Sequence, residues 1–82
     1  MNRSEVSEKI INIFNNIFDT KDIVITEETN SNDIEDWDSL THINLISACE
    51  MEFSVKFGIN DIIKLKKIGD FVDLIIINLT RR

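Results

Sequence analysis

A serine, a histidine and several carboxylates stand close together in the stretch EDWDSLTHINLI at residues 35–46. Ser39 supplies a hydroxyl, His42 a base one helical turn further on, and Asp38 an adjacent carboxylate, which are residue types used in nucleophilic catalysis. A hydrolase is nevertheless disfavoured, because the sequence has no G-x-S-x-G elbow, no evident oxyanion arrangement and little chain to form a pocket. His42 is therefore interpreted as a solvent-facing or rim residue.

Metal binding fits the same stretch poorly. The acidic residues before the serine lack the spacing and the glycine of an EF-hand calcium loop; they are Asp33, Glu35, Asp36 and Asp38. Cys49 and His42 are the only soft ligands in the chain, so no zinc site is expected. Cys49 lies among apolar positions and is interpreted as a small core residue.

Ser39 stands where an apolar repeat begins, which predicts the first turn of a helix. If Asp38 is the N-cap, the Ser39 hydroxyl is left free for chemistry. The first N–H groups of a helix lack internal partners and favour an anion, so a phosphate ester on Ser39 would be stabilised there. The alternative is that Ser39 is itself the cap and has no further role.

The surrounding pattern predicts an all-α fold, a small four-helix bundle with three longer helices and one short helix. Helix 1 is predicted from Ser4, as its N-cap, to Phe18, with a buried face of Val6, Ile10, Ile13, Phe14 and Ile17. Helix 2 is predicted from Asp38–Ser39 to Phe53, with an inner stripe of Leu40, Ile43, Ile46, Cys49 and Phe53, widened by Leu45 and Ala48.

The remaining elements are less regular. INDIIKLK at residues 59–66 predicts a short third helix capped by Asn60. Helix 4 is predicted to start after KKIG, with Ile68, Phe71, Val72, Ile75 and Leu79 on one face, although its β-branched run also resembles a strand. Between helices 1 and 2 lies a long loop over residues 19–38, which Ile23, Ile25 and Ile34 are expected to anchor.

Length and composition predict one soluble domain over residues 1–82. No apolar run approaches the roughly 20 residues of a membrane span, and the N-terminal MNRSEVSEKI has no signal-peptide h-region. A monomer located in the cytoplasm, without membrane insertion, is therefore expected. The loop contains eight acidic residues and a single lysine. Its negative charge is expected to repel nucleic acid and to attract basic protein surfaces.

Three motifs together resemble the acyl carrier protein family: DWDSLTHINLI at residues 36–46, EMEFSVKF at 50–57 and IGDFVDLI at 68–75. The aspartate, serine and leucine at 38–40 match the family's attachment motif, and the match extends over essentially the whole chain. The stretch WDSLTHI looks more like accessory carriers of specialised bacterial pathways than the fatty-acid carrier, where Gly-Ala commonly precedes the motif.

The resemblance implies a covalent 4'-phosphopantetheine arm on Ser39, with Asp38 and Leu40 as motif neighbours. It implies no catalysis by the chain itself. The implied partners are a phosphopantetheinyl transferase, a ligase that loads an acyl or aminoacyl group, and downstream synthases or transferases with basic docking surfaces. The arm's thiol would hold the cargo as a thioester, and the pathway stays open among lipid, polyketide and specialised metabolite synthesis.

Partner docking is expected to use the acidic positions of the loop and of helix 2 together with one adaptable methionine: Glu35, Asp36, Asp38, Glu50, Met51 and Glu52. Thr41 and Asn44 occupy positions that are often acidic in the fatty-acid carrier. Fatty-acid synthase enzymes are therefore expected to use this chain poorly as a carrier. Trp37 is expected to pack at the loop–helix corner or to touch the arm. The competing hypothesis is an acidic helical interaction module without a prosthetic group.

Overall fold

The computed structural model describes residues 2–18, 20, 23–34 and 37–81. Within these residues the chain forms four helices: α1 (Arg3–Ile17), α2 (Ser39–Phe53), α3 (Ile59–Ile63) and α4 (Ile68–Thr80). The described part contains no strand, only an isolated antiparallel bridge between Asn30 and Lys67. The all-α bundle with one short helix and a long α1–α2 connection is therefore confirmed.

Helix α1 lies against both α2 and α4 and supplies one side of the core. Val6, Ile10 and Phe14 are completely buried, as their spacing of four residues predicts. Ile13 and Ile17 are only partly buried at the edge of this face. The predicted cap is wrong by two residues, because the Asn2 side chain, not Ser4, accepts the Glu5 backbone N–H at 2.9 Å.

The inner face of α2 differs from the predicted stripe. Leu45, Ile46, Cys49 and Phe53 are buried, as expected, but Leu40 and Ile43 are 69% and 58% exposed. Helical geometry explains this error, since at about 100° per residue Leu40 lies roughly 180° and Ile43 roughly 120° away from Cys49 around the axis.

The inward position in the first turns of α2 belongs to His42. This ring contacts Trp37 and Phe71, which are both buried. The aromatic residues therefore continue the core to the beginning of the helix in place of the predicted aliphatic pair.

The long connection is fastened to the start of α4 through its backbone. The Thr29 carbonyl accepts the Ile68 N–H at 3.0 Å, and the Glu27 carbonyl accepts the Gly69 N–H at 2.7 Å, so two N-terminal donors of α4 are satisfied. A Cβ at Gly69 would lie 3.1 Å from the Glu27 carbonyl oxygen, and this close approach favours glycine. Arg3 adds ion pairs to Glu27 and to Asp73 on α4.

Only part of the predicted loop anchoring holds. Ile34 is buried and Ile25 packs at the edge of the core, whereas Ile23 is 44% exposed. Thr29 is buried as well, and its hydroxyl accepts the Thr26 N–H at 3.0 Å. A polar turn, together with Ile34, therefore holds the connection in place.

Helices α3 and α4 each depart slightly from the expected boundaries. Gly58, not Asn60, occupies the N-cap position of α3, and its N–H donates to the Asp61 carboxylate at 3.3 Å. Helix α4 begins at Ile68, two residues earlier than expected, because the Asp70 carboxylate accepts the N–H groups of Lys66 and Lys67. Its β-branched run is helical, since packing on α1 overrides the weak intrinsic preference.

Cys49 is completely buried on α2, as the sequence predicts. Burial, with a smaller effect of the charges of Glu50 and Glu52, raises the pKa of its thiol to about 12. Because only the thiolate reacts, we expect the folded protein to resist alkylation at pH 8 and the protein in strong denaturant to react fully. Mass spectrometry after timed exposure to iodoacetamide measures this, and rapid labelling of the folded chain would contradict it.

Candidate functional site

Helix α2 begins in a capping box that leaves Ser39 outside. The Asp38 carboxylate accepts the Thr41 N–H at 3.0 Å, and the Thr41 hydroxyl accepts the Asp38 N–H at 2.9 Å. Hydrogen bonds from the Thr41 backbone N–H and from the Thr41 hydroxyl to the Asp38 carboxylate hold the pKa of Asp38 below its ordinary value. Asp38 is therefore the cap, as the first interpretation required, and Ser39 occupies the first helical position with its side chain exposed.

Trp37 packs inward at the corner that precedes the helix. Only 7% of its surface is exposed, and its ring meets Phe14 edge-on at 5.2 Å between centroids. Phe18 and Phe71 lie at 6.0 and 6.5 Å. Trp37 thus has the packing role expected for it. Because Trp37 directly precedes Asp38, this packing anchors the start of α2 to the core.

His42 joins this aromatic group from the first turn of α2. Its Nδ1 accepts a hydrogen bond from the Trp37 indole N–H at 2.9 Å. The imidazole stacks on Trp37 at 6.0 Å and meets Phe71 edge-on at 5.8 Å. Desolvation by burial lowers the pKa of His42. The sequence indicates the proximity of Ser39 and His42, but nothing in it reveals the bond to Trp37.

An open groove of about 470 Å³ starts at Ser39. Its lining is Ser31, Trp37, Asp38, Ser39, His42, Ile43, Leu65 and Lys66. One cation, one anion and three apolar side chains therefore border the exposed serine. The sequence does not place Ser31, Leu65 or Lys66 beside Ser39; they reach the groove from the loop and from the segment between α3 and α4.

We expect His42 to make the fold more labile in mild acid. Because its pKa in the folded chain lies below the ordinary value of 6.5, the unfolded chain binds the proton first as pH falls. The contribution of neutral His42 to stability is therefore complete above pH 6.5 and is lost as pH falls toward the folded pKa.

Urea unfolding at several pH values between about 8 and 5.5 measures this effect. The chain has one histidine, and histidine is the side chain whose ordinary pKa falls in this range. A His42→Gln variant serves as the control, and we expect its midpoint to vary less with pH. Equal pH dependence in the two proteins would contradict the prediction.

The predicted partner residues other than Asp38 fall into three groups. Glu35 and Asp36 lie outside the described residues. Met51 is 83% exposed, and Glu52 is exposed with a loose ion pair to Lys9 at 3.8 Å. The third group is Glu50, whose carboxylate accepts the Phe57 backbone N–H at 2.9 Å and so closes the turn after α2.

Glu50 therefore has a structural role that its neighbour Met51 lacks. Because the lost partner is a charged acceptor of a half-buried N–H, we expect Glu50→Ala to cost about 1.5 to 3 kcal/mol of unfolding free energy. Met51→Ala, at an exposed position of the same helix, is expected to change it by less than about 0.5 kcal/mol. Urea denaturation compares the two, and equal stabilities would show that the Glu50 bond contributes nothing.

Several large apolar side chains are exposed on α2 and α3. Leu40, Ile43 and Met51 on α2 and Ile59 and Ile63 on α3 are each more than half exposed. Thr41 is half-buried and belongs to the capping box, and Asn44 is exposed. The first part of α2 therefore offers an apolar surface, with its acids at the two ends.

The described residues include no helix with both the length and the apolar character that a bilayer crossing requires.

Comparison with solved structures finds a solution NMR structure of a holo acyl carrier protein from Geobacter metallireducens. It is 42% identical in sequence to this chain, and the alignment covers 93% of this chain and 87% of the other, with a TM-score of 0.82. No family model and no curated protein matches the sequence.

Proposed function

The chain belongs to the acyl carrier protein family, and on that premise we propose that its Ser39 bears a 4'-phosphopantetheine arm. As a member of that family it is a carrier and not an enzyme. The proposal takes residues 1–82 as one carrier domain. The observation that supports it most directly is the exposure of Ser39 at the first position of α2, with capping performed by Asp38 instead.

The residues around Ser39 suit this group. A phosphodiester on the hydroxyl would lie at the positive end of α2 and beside a groove to which Lys66 contributes a cation. Apolar walls from Leu65, Ile43 and Trp37 match the uncharged body of the arm. Asp38 contributes the one carboxylate of the lining, and its oxygen already accepts the Thr41 N–H.

When bound, the arm supplies a terminal thiol that holds an acyl or aminoacyl group as a thioester. The chain itself performs three tasks. Trp37 fixes the corner to the core, Asp38 begins the helix, and the position of Ser39 leaves its hydroxyl open to a transferring enzyme. A tether of this kind raises the concentration of the cargo at the active sites of partner enzymes.

We propose as partners a phosphopantetheinyl transferase, a loading ligase and downstream synthases or transferases. Asp38, Met51 and Glu52 are the proposed docking residues with exposed side chains. Since a single exposed ion pair contributes only about 0.2 to 1 kcal/mol, uncharged residues such as Asn44 between these acids would select partners other than fatty-acid synthase enzymes.

The deciding experiment is to incubate the purified protein with coenzyme A, magnesium and a broad-specificity phosphopantetheinyl transferase and to measure its mass. We expect a gain of one phosphopantetheine group, mapped by peptide fragmentation to Ser39. A folded protein that gains no mass would favour an acidic interaction module instead. Ester hydrolysis by the unmodified chain would favour a hydrolase.

A further inference from the structure

The hydrogen bond between Trp37 and His42 determines where the imidazole proton resides. The indole N–H is only a donor, so the nitrogen that accepts it at 2.9 Å, Nδ1 of His42, carries no hydrogen. A neutral imidazole has one protonated nitrogen. His42 is therefore the Nε2–H tautomer, and the nitrogen that remains for a ligand is a donor.

The surrounding rings hold this imidazole in one orientation. Trp37 stacks on it with an interplanar angle of 26°, and the completely buried Phe71 meets it edge-on at 67°. Ser39 lies three residues earlier on α2, so both side chains project from the same side of the helix. Both also line the same groove.

Lys66 gives this groove its cation. No carboxylate in the described part of the chain forms an ion pair with its ammonium group. Asp70, the nearest acid in sequence, accepts the backbone N–H groups of Lys66 and Lys67. Among the described residues, the charged groups that line the groove with His42 are thus Asp38 at the cap and Lys66, while α4 presents the uncharged Phe71.

We propose that the Nε2–H of His42 and the ammonium of Lys66 together bind the phosphodiester of the arm on Ser39, with Trp37 as the positioning residue that fixes the His42 tautomer. This inference rests on the proposed function. It assigns to the groove a specific contact with the arm, which holds the root of the arm against α2 while its thiol end stays free.

The test uses the apo protein, the loaded protein and Ser39→Ala, each labelled with ¹⁵N in the histidine ring. Mass spectrometry is performed first, and a protein that gains no mass refutes the proposed function itself. In apo protein we expect the nitrogen resonances of the Nε2–H tautomer. On loading we expect the pKa of His42 to rise, because a nearby anion favours the imidazolium, and the phosphorus resonance to titrate with the same midpoint.

Two substitutions separate the roles. Lys66→Ala is expected to enlarge the loading-induced rise of the His42 pKa, because the competing cation is gone. The control is Lys56→Ala, at an exposed lysine outside the groove, which is expected to leave the size of that rise unchanged. Trp37→Phe keeps a ring but removes the indole N–H, so we expect a mixture of tautomers. A loaded protein whose His42 pKa equals that of the apo protein would overturn the inference.

Discussion

Replacing Ser39 with alanine is expected to abolish loading from coenzyme A completely and to leave the fold intact. Within the described part of the chain the Ser39 hydroxyl takes part in no hydrogen bond, and Asp38 supplies the cap of α2. The side chain is exposed, so its loss should change the free energy of unfolding by no more than about 0.5 kcal/mol. Intact mass after incubation with the transferase measures loading, and urea denaturation measures stability.

The matched control is Ser47→Ala, an exposed serine on the same helix. It is expected to load as well as the wild type. Loading of Ser39→Ala at another residue would show that the exposed hydroxyl at the start of α2 is not the attachment point. A large loss of stability in Ser39→Ala would instead mean that this hydroxyl contributes to the fold.

Phe71→Ala is expected to destabilise the protein more than any other change considered for this chain. Phe71 is completely buried on α4, and removing a buried phenylalanine side chain costs about 3 to 5 kcal/mol. The free energy of unfolding is roughly 0.05 to 0.15 kcal/mol per residue, so for a chain of this length the loss is a large fraction of the total. We therefore expect a large fraction of the variant to be unfolded at 37 °C, as measured by circular dichroism and urea titration.

A control on the same helix separates burial from helix propensity. Ile77→Ala removes a side chain that is 45% exposed and should cost much less. Because Phe71 also contacts Trp37 and His42, any folded Phe71→Ala protein should show altered histidine ring resonances. Equal stability of the two variants would contradict the central place of Phe71 in the core.

The fold is predictable from sequence where one periodic face meets a neighbour. The spacing of Val6, Ile10 and Phe14 identifies the buried side of α1 because this helix lies against both α2 and α4. The start of α2 is different, because Leu40 and Ile43 look equally suited to a core and yet lie outside it. Aromatic rings from other segments, those of Trp37 and Phe71, determine which side of α2 faces the core there.

The site follows the same rule. Asp38 and Ser39 are adjacent in sequence, so the capping arrangement is visible in the motif itself. Lys66 reaches the same groove from a distant segment, and no local pattern indicates its approach. Glu50 has the charge expected of a docking residue, but a turn that closes on its carboxylate gives it a structural role.

The burial of Cys49 has a consequence for any thioester carried by this protein. A thiolate on the protein's own surface would attack the cargo and capture it by transthioesterification, in competition with the intended acceptor. The only cysteine in the chain lies within the core and stays protonated. A thioester cargo would therefore meet no competing sulfur nucleophile on its own carrier.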